Sequence, residues 1–426
     1  MMKLWFMVAF IFCHCGILFA QDYSFEIPQK EAKEENLEWG GYLDGKYSVF
    51  HSRQSSPFYQ LQFFNQGNLS QYLSQYELEL YLNGDYQTKD IGFHLKTYST
   101  YDSDSSAYFH LFEGYGNVNL SLSSFIQAGK RMYNWGKGYA FNPVGYVNPF
   151  KDPENPELAQ AGIMSLSFES IKNINSKVLK TIALTVIVVP PIEKINNRYA
   201  EIRNTDIAGK IYSLLWNVDV DVMGYYSKVN PIRIGADFST NIKENIEAHG
   251  ELSYSKDNAK NIIINNKLST KVQNAYSYLL GFRYLNQWNT TIIAEYYHNG
   301  IGLNKSEYTN YVDFLQHNID SANQDAIKQA LGYSQGYFKG VTLMQDYLYL
   351  KVNQPEPFNW LYFTPSAFFI YNLSDRSLLL ATPLSYKPFT NSEFIFWPTF
   401  LIGNDGTEFG SKQFQQRLEL RMQTYF

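Results

Sequence analysis

A serine stands at the centre of Gly332-Tyr333-Ser334-Gln335-Gly336, which matches the G-x-S-x-G spelling of a nucleophile elbow. In that device a sharp strand-to-helix turn lifts the hydroxyl toward a histidine and an acid supplied later in the chain. Here helical spacing comes first and no histidine follows Ser334, so the two glycines read instead as the end of a helix and the start of the next strand. Beyond the first twenty residues the histidines are His51, His94, His110, His249, His298 and His317, scattered without metal-ligand spacing. His249 between Glu247 and Glu251 is the best candidate constellation, because on a strand all three share one face. A solvated strand face produces the same spacing without any chemistry. Cys13 and Cys15 are the chain's cysteines, and both fall in an N-terminal apolar stretch, which leaves the rest of the chain without disulfide, thiolate or zinc–thiolate chemistry. These residues predict no catalytic, metal or cofactor-binding site, and no enzyme.

The elements that would position the remaining polar groups are better defined. Lys3 followed by the apolar run 4–12, ending near Phe19-Ala20, has the layout of a secretory signal over residues 1–20. The net charge of −5 gives no basic footprint for nucleic acid. Aromatics make up 17% of the chain, yet mean hydropathy is −0.31 and no run of eighteen apolar residues follows the signal. A helical membrane protein is thereby excluded. A membrane β-barrel remains, since its strands need only alternate residues to be apolar and its aromatics serve as interfacial girdles. The last twelve residues fit it: Phe414, Leu418, Leu420, Met422 and Phe426 alternate with Gln415, Arg417, Glu419, Arg421 and Gln423. The terminal aromatic Phe426 resembles the signal read by outer-membrane barrel-assembly machinery.

Period-two segments recur along the chain, and their number predicts an all-β, transmembrane, antiparallel up-and-down β-barrel of about eighteen strands, with sixteen as the alternative count. Residues 21–36 read as a flexible periplasmic segment and 37–426 as the barrel. Short connections are expected at 83–85, 121–124, 173–176, 216–217, 241–245, 285–287, 354–359 and 387–391, and long external ones at 51–68, 134–160, 190–204, 257–274, 300–340 and 404–413. Within the longest, residues 306–331 carry Tyr311, Phe314, Leu315, Ile319, Ala322, Ala326, Ile327 and Ala330 at helical spacing, predicting one short helix. With apolar residues outward, Glu77, Glu79, His94, Lys96, Asp219, Asp221, Arg233, Asp237, Glu247, Glu251, Arg283, Arg417, Glu419 and Arg421 point into the lumen. Such groups either brace the wall or line a solute path.

One segment departs from the strand pattern: Gly129-Lys130-Arg131-Met132-Tyr133-Asn134-Trp135-Gly136-Lys137-Gly138, followed by Phe141-Asn142-Pro143 and Tyr146-Val147-Asn148-Pro149-Phe150-Lys151-Asp152-Pro153. It resembles the porin-like outer-membrane families related to alginate-export channels, and capsule-assembly barrels are similar in this region. Its prolines stiffen the chain, so the loop either folds back inside the barrel as a constriction or caps it outside. In the first case Trp135, Tyr139, Phe141, Tyr146 and Phe150 pack on the wall or offer faces to sugars, and Lys137 and Lys151 bias the pore toward anions.

The expected function is a passive porin-like channel for small or oligomeric hydrophilic solutes in a Gram-negative outer membrane, with lipid, assembly machinery and the solute as partners and no cofactor. The alternative is a surface barrel that binds, exports or organises an exopolysaccharide or capsule. An outer-membrane hydrolase is the third.

Overall fold

A computed structural model describes residues 37–64, 70–103, 106–149, 151–190, 196 and 204–426. The signal, the charged segment before Leu37 and Phe150 lie outside them. Nineteen strand segments follow one another among the described residues: β1 (Leu37–Ser52), β2 (Tyr72–Gln87), β3 (Ile91–Asp102), β4 (Ala107–Ser121), β5 (Ser124–Arg131) and β6 (Ile163–Asn173). Next come β7 (Leu179–Val189), β8 (Asp206–Leu215), β9 (Val218–Tyr226), β10 (Ile232–Lys243), β11 (Ile246–Ile264) and β12 (Lys267–Leu285). The last are β13 (Thr291–His298), β14 (Asp346–Asn353), β15 (Phe363–Asn372), β16 (Leu378–Ala381), β17 (Leu384–Phe389), β18 (Ser392–Ile402) and β19 (Phe414–Tyr425). Each pairs antiparallel with its sequence neighbour, save β16 and β17, which do not pair with each other, and β1 also pairs with β19, so the sheet closes on itself. The segments β16 and β17 both lie between β15 and β18. They are two halves of one stave, interrupted at Pro383, which has no N–H for the ladder. The result is a closed, up-and-down transmembrane barrel of eighteen staves, as the alternation predicts.

The two faces of the wall have opposite chemistry. On β19, Leu418, Leu420 and Met422 are exposed outward, whereas Arg417, Glu419 and Arg421 turn in. The same division holds for Phe93 and Leu95 on β3, Ile232 and Ile234 on β10, and Leu280 and Phe282 on β12, all of them exposed. An apolar belt of this extent costs free energy in water and is stable against hydrocarbon.

Three connections differ from the sequence reading. Asn83-Gly84-Asp85 lies inside β2 and the turn follows at 88–90; a Cβ at Gly84 would stand 2.8 Å from the Trp39 ring, so the glycine makes room for a cross-strand indole instead of bending the chain. Residues 257–274 are not a loop: β11 and β12 continue as a hairpin past their neighbours, with a bulge at Ser255/Asn258, and turn at Asn265-Asn266. Both turn asparagines have positive φ, 49° and 58°, as a two-residue hairpin loop requires. The long connection holds two helices instead of one, α2 (Lys305–Asp320) and α3 (Gln324–Tyr337), which follow the short α1 (Pro57–Gln62) in the chain. Asn304 and Glu307 form a capping box at the start of α2, and Asn323 caps α3. Gly332 and Gly336 sit within α3, so they neither end the helix nor form an elbow.

The helices close over one side of the far rim, the rim away from the chain ends. Tyr308, Tyr311, Phe314 and Leu315 of α2 are buried in one apolar cluster with Leu61, Phe338, Tyr347 and Phe409. Glu408, fully buried in the 403–413 connection, accepts from Tyr347 Oη at 2.7 Å and Asn372 Nδ2 at 2.7 Å, and from the Leu343 N–H. Burial pushes its carboxyl above the usual range.

Candidate functional site

The connection between β5 and β6 does not stay at the rim. Met132 N–H donates to Glu113 Oε2 at 2.9 Å, and the Tyr133 hydroxyl bonds Ser165 Oγ at 2.8 Å, anchoring the departure beside β4 and β6. The chain then crosses the lumen to strands on the opposite side of the ring.

Two wall carboxylates receive it. Glu251 on β11 accepts the backbone N–H groups of Lys137 and Gly138, each at 2.6 Å, and of Val144 at 3.2 Å. Glu295 on β13 accepts those of Tyr139 and of Ala140, the latter at 2.9 Å, and is oriented by His249 Nε2 at 3.0 Å. Five main-chain donors thus converge on two carboxylates in a site shielded from water, where charge-assisted hydrogen bonds are strongest. Lys137 adds a charge: its Nζ is 2.9 Å from Asp221 and 3.9 Å from Asp237, on β9 and β10. Asp221 faces Asp237, and Asp237 faces Glu251, across adjacent strands. Like charges placed directly opposite repel, and the loop's ammonium and N–H dipoles compensate them.

This geometry accounts for the Trp135-Gly136-Lys137-Gly138 spelling. Gly136 has φ +100°, and a Cβ there would lie 2.7 Å from Glu251 Oε1. At Gly138 a Cβ would meet the Phe141 carbonyl at 2.2 Å and Leu279 Cδ1 at 2.8 Å. Only glycine lets the backbone approach the carboxylate so closely. Gly138→Ala is therefore expected to leave the barrel assembled but release the loop, read as faster proteolytic nicking between residues 132 and 162 in detergent. A loop as protected as that of the parent would contradict this account.

Of the loop aromatics, Trp135 and Tyr146 are buried against Ile187, Val189, Met223 and Tyr225, and Phe141 stacks on Tyr297 with ring centroids 4.5 Å apart. Tyr139 is half-buried and borders a cavity, with its hydroxyl 2.6 Å from Glu157 Oε1 and Lys351 Nζ 4.8 Å from its ring. Lys151 turns back on the loop itself, donating to the carbonyls of Gly138 and Tyr139, the second at 3.2 Å.

The cavity, about 580 Å³, lies between the loop and the wall made by β1–β3, β14, β15 and β17–β19. Asp44, Glu79, Glu157, Glu393, Lys96, Lys351, Lys387 and Arg421 give it both signs of charge. Arg417, Glu419 and Arg421 form one network: Arg417 Nη2 is 3.2 Å from Glu154 of the loop, and Arg421 pairs with Glu419, which also accepts from Ser48 at 3.1 Å. Glu77 and Glu79 pair with Lys46 at 3.7 and 2.6 Å. His94 bonds Asp85 at 2.6 Å. Asp219 accepts from Tyr212, and Arg233 lies over the rings of Tyr146 and Tyr225. Arg283 is 4.0 Å from Glu247, which is 3.8 Å from His249. Glu295, Lys351 and Glu157 escaped the sequence reading. Glu295 had a signal, a lone carboxylate at an inward position of the apolar strand Thr291-Ile292-Ile293-Ala294-Glu295-Tyr296-Tyr297.

No family model and no curated protein sequence matches the chain. Solved structures do. Acinetobacter baumannii OccAB1 superposes with TM-score 0.55 at 11% identity, covering 94% of this chain and 99% of its own. The fold is that of the porin-like outer-membrane barrels. Pseudomonas aeruginosa OccK11 (OpdR) gives 0.52 at 8% identity over 91% and 95% of the two chains. Wzi of Escherichia coli, an outer-membrane protein involved in group 1 capsule assembly and described as a carbohydrate-binding β-barrel, gives 0.54 at 11% over 90% and 84%. Both types of barrel to which the 129–153 segment is similar are thus represented among the structural neighbours.

Proposed function

We propose that this protein is a porin-like channel of a Gram-negative outer membrane, without catalytic activity, for passive passage of small hydrophilic solutes. The observation that carries the reading is the docked loop, which leaves a polar, two-signed cavity between itself and one wall. At about 580 Å³ that space corresponds to roughly twenty waters and is of the size that holds a small solute. Reconstitution into planar bilayers tests it: stepwise ion current is expected, and silence from a correctly folded barrel would overturn it. A second reading, a barrel that binds or organises a polysaccharide, is favoured by the likeness to Wzi and by Tyr139 beside carboxylates and lysines; retention on a polysaccharide column without current would support it.

The chain ends bear on assembly. Phe426 donates its N–H to Gly41 O at 3.1 Å and accepts from Gly41 N at 3.0 Å, completing the β1–β19 seam, while its ring is exposed. We infer that this aromatic terminus is the group read by the assembly machinery. Deleting Phe426 is expected to leave unassembled chain in the periplasm, seen as loss of the heat-shifted band on gels. A folded, surface-exposed deletion variant would remove this inference.

A further inference from the structure

The loop consists of two parts held in different ways. Residues 135–148 are fixed by main-chain hydrogen bonds to Glu251 and Glu295. In the later part the main-chain N–H groups go to the loop itself: Glu154 to Asp152 Oδ1 at 2.9 Å, Asn155 to Asp152 O at 3.0 Å and Leu158 to Asn155 O at 3.0 Å. Side chains tie this part to the wall, Glu154 to Arg417 and Glu157 to Lys351, the latter pair at 3.6 Å. Pro153 and Pro156 stiffen it, so it would move as a unit.

A second cavity, about 260 Å³, lies toward the far rim among Phe58, Ser334, Phe338, Leu401, Phe409 and Lys412. Glu154 lines this cavity and also the larger one on the other side of the loop. Its partner is imperfectly matched. Arg417 reaches Glu154 through Nη2 alone and shares that group with Thr399 Oγ1 at 3.3 Å, while its buried Nε has no hydrogen-bond partner. A bidentate fork is the strong form of this pair, and an orphaned donor adds a cost. The contact is therefore weaker than a bidentate pair at the same place would be.

We propose that the Glu154–Arg417 pair is the closed gate of the solute path, separating the far-rim cavity from the lumen cavity and opening by release of residues 153–159 while 135–148, with Lys151 bonded to them, remain docked. This rests on the channel reading. The path crosses the barrel between the later part of the loop and β19, and the two side chains are its barrier.

Single-channel recording on the full-length barrel tests it with the charge reversals Glu154→Arg and Arg417→Glu, each alone and combined, and with the isosteric Glu154→Gln. Each reversal places like charges in contact and is expected to raise conductance several-fold or to lengthen the open events; the combined swap re-forms the pair and brings conductance back below both single reversals, short of the parent because position 417 also faces Glu419, and Glu154→Gln falls between the parent and the reversals. Parental conductance in both reversals, with heat-shifted mobility showing folded barrels, would overturn the gate, as would a combined swap that stays as open as the single variants. A barrel in which residues 153–159 are replaced by a Gly-Ser turn separates the gate from the channel. Current above the parental level there, with parental current in the charge variants, leaves the channel and removes the gate, whereas silence in every barrel, the parent included, removes both.

Discussion

A barrel carrying Glu251→Ala is expected to assemble and to conduct several-fold more current than the parent. The substitution removes the acceptor of three backbone N–H groups, those of Lys137, Gly138 and Val144. Each buried donor left without a partner costs about 1–3 kcal/mol, so the three together weaken docking by about 3–9 kcal/mol. The loop then finds water by leaving the wall. Glu251→Gln is the graded control: one amide oxygen still accepts, but the NH2 group faces backbone donors, so the effect is intermediate. Recording and limited proteolysis of the 132–162 connection should change together. Parental current with a protected loop would mean that Glu295 and Lys137 hold the loop unaided.

The largest conductance change is expected from replacing residues 134–160 by a short Gly-Ser turn, since this removes the whole span that crosses the lumen and leaves the hydrogen-bonded wall intact. Unchanged conductance in a folded barrel would place the ionic path elsewhere. Charge selectivity needs a different probe from the one the sequence suggests. Lys137 pairs with Asp221 and Asp237, and Lys151 with loop carbonyls, so the first ammonium is engaged in docking and the second in bracing the loop itself. A glutamate at 137 would sit among carboxylates; like charges near 4 Å repel by about 4 kcal/mol at an effective dielectric of 20. Lys137→Glu should therefore undock the loop and raise conductance, confounding any selectivity reading. Lys351 ties Glu157 of the loop to the wall, so Lys96, which lines the same cavity from β3, is the cleaner site. Lys96→Glu is expected to shift the reversal potential toward cations at low ionic strength, where fixed charges keep their reach. A reversal potential equal to that of the parent would place Lys96 off the path.

The barrel was legible because alternation is local: whether Leu418 faces lipid and Arg417 the lumen is decided by period two and nothing farther away. The errors fell where polar residues inside strands imitate turns. At Asn83-Gly84-Asp85 the glycine accommodates Trp39 from the neighbouring strand, and at 257–274 the polar run Asp257-Asn258 marks a bulge rather than an end. Both are settled by cross-strand partners that a linear reading does not see. The candidate site was half legible. Glycine spacing and prolines singled out the loop, and Glu251 was named as an inward carboxylate. That Glu251 and Glu295 receive backbone amides of a segment more than a hundred residues away is a property of the closed ring, which brings β5 opposite β13.

Docking chiefly through amides divides the loop's labour. What positions the segment is the peptide backbone, two glycines, the Lys137 ammonium and the buried aromatics Trp135, Phe141 and Tyr146, whereas what borders the cavity is a handful of other side chains such as Tyr139, Glu154 and Glu157. On the channel reading proposed above, drift at those side chains would retune which molecules pass without dislodging the span. For the engineer the same separation offers a cassette: residues 153–159 can be exchanged as a block, with Glu251 and Glu295 as the fixed socket.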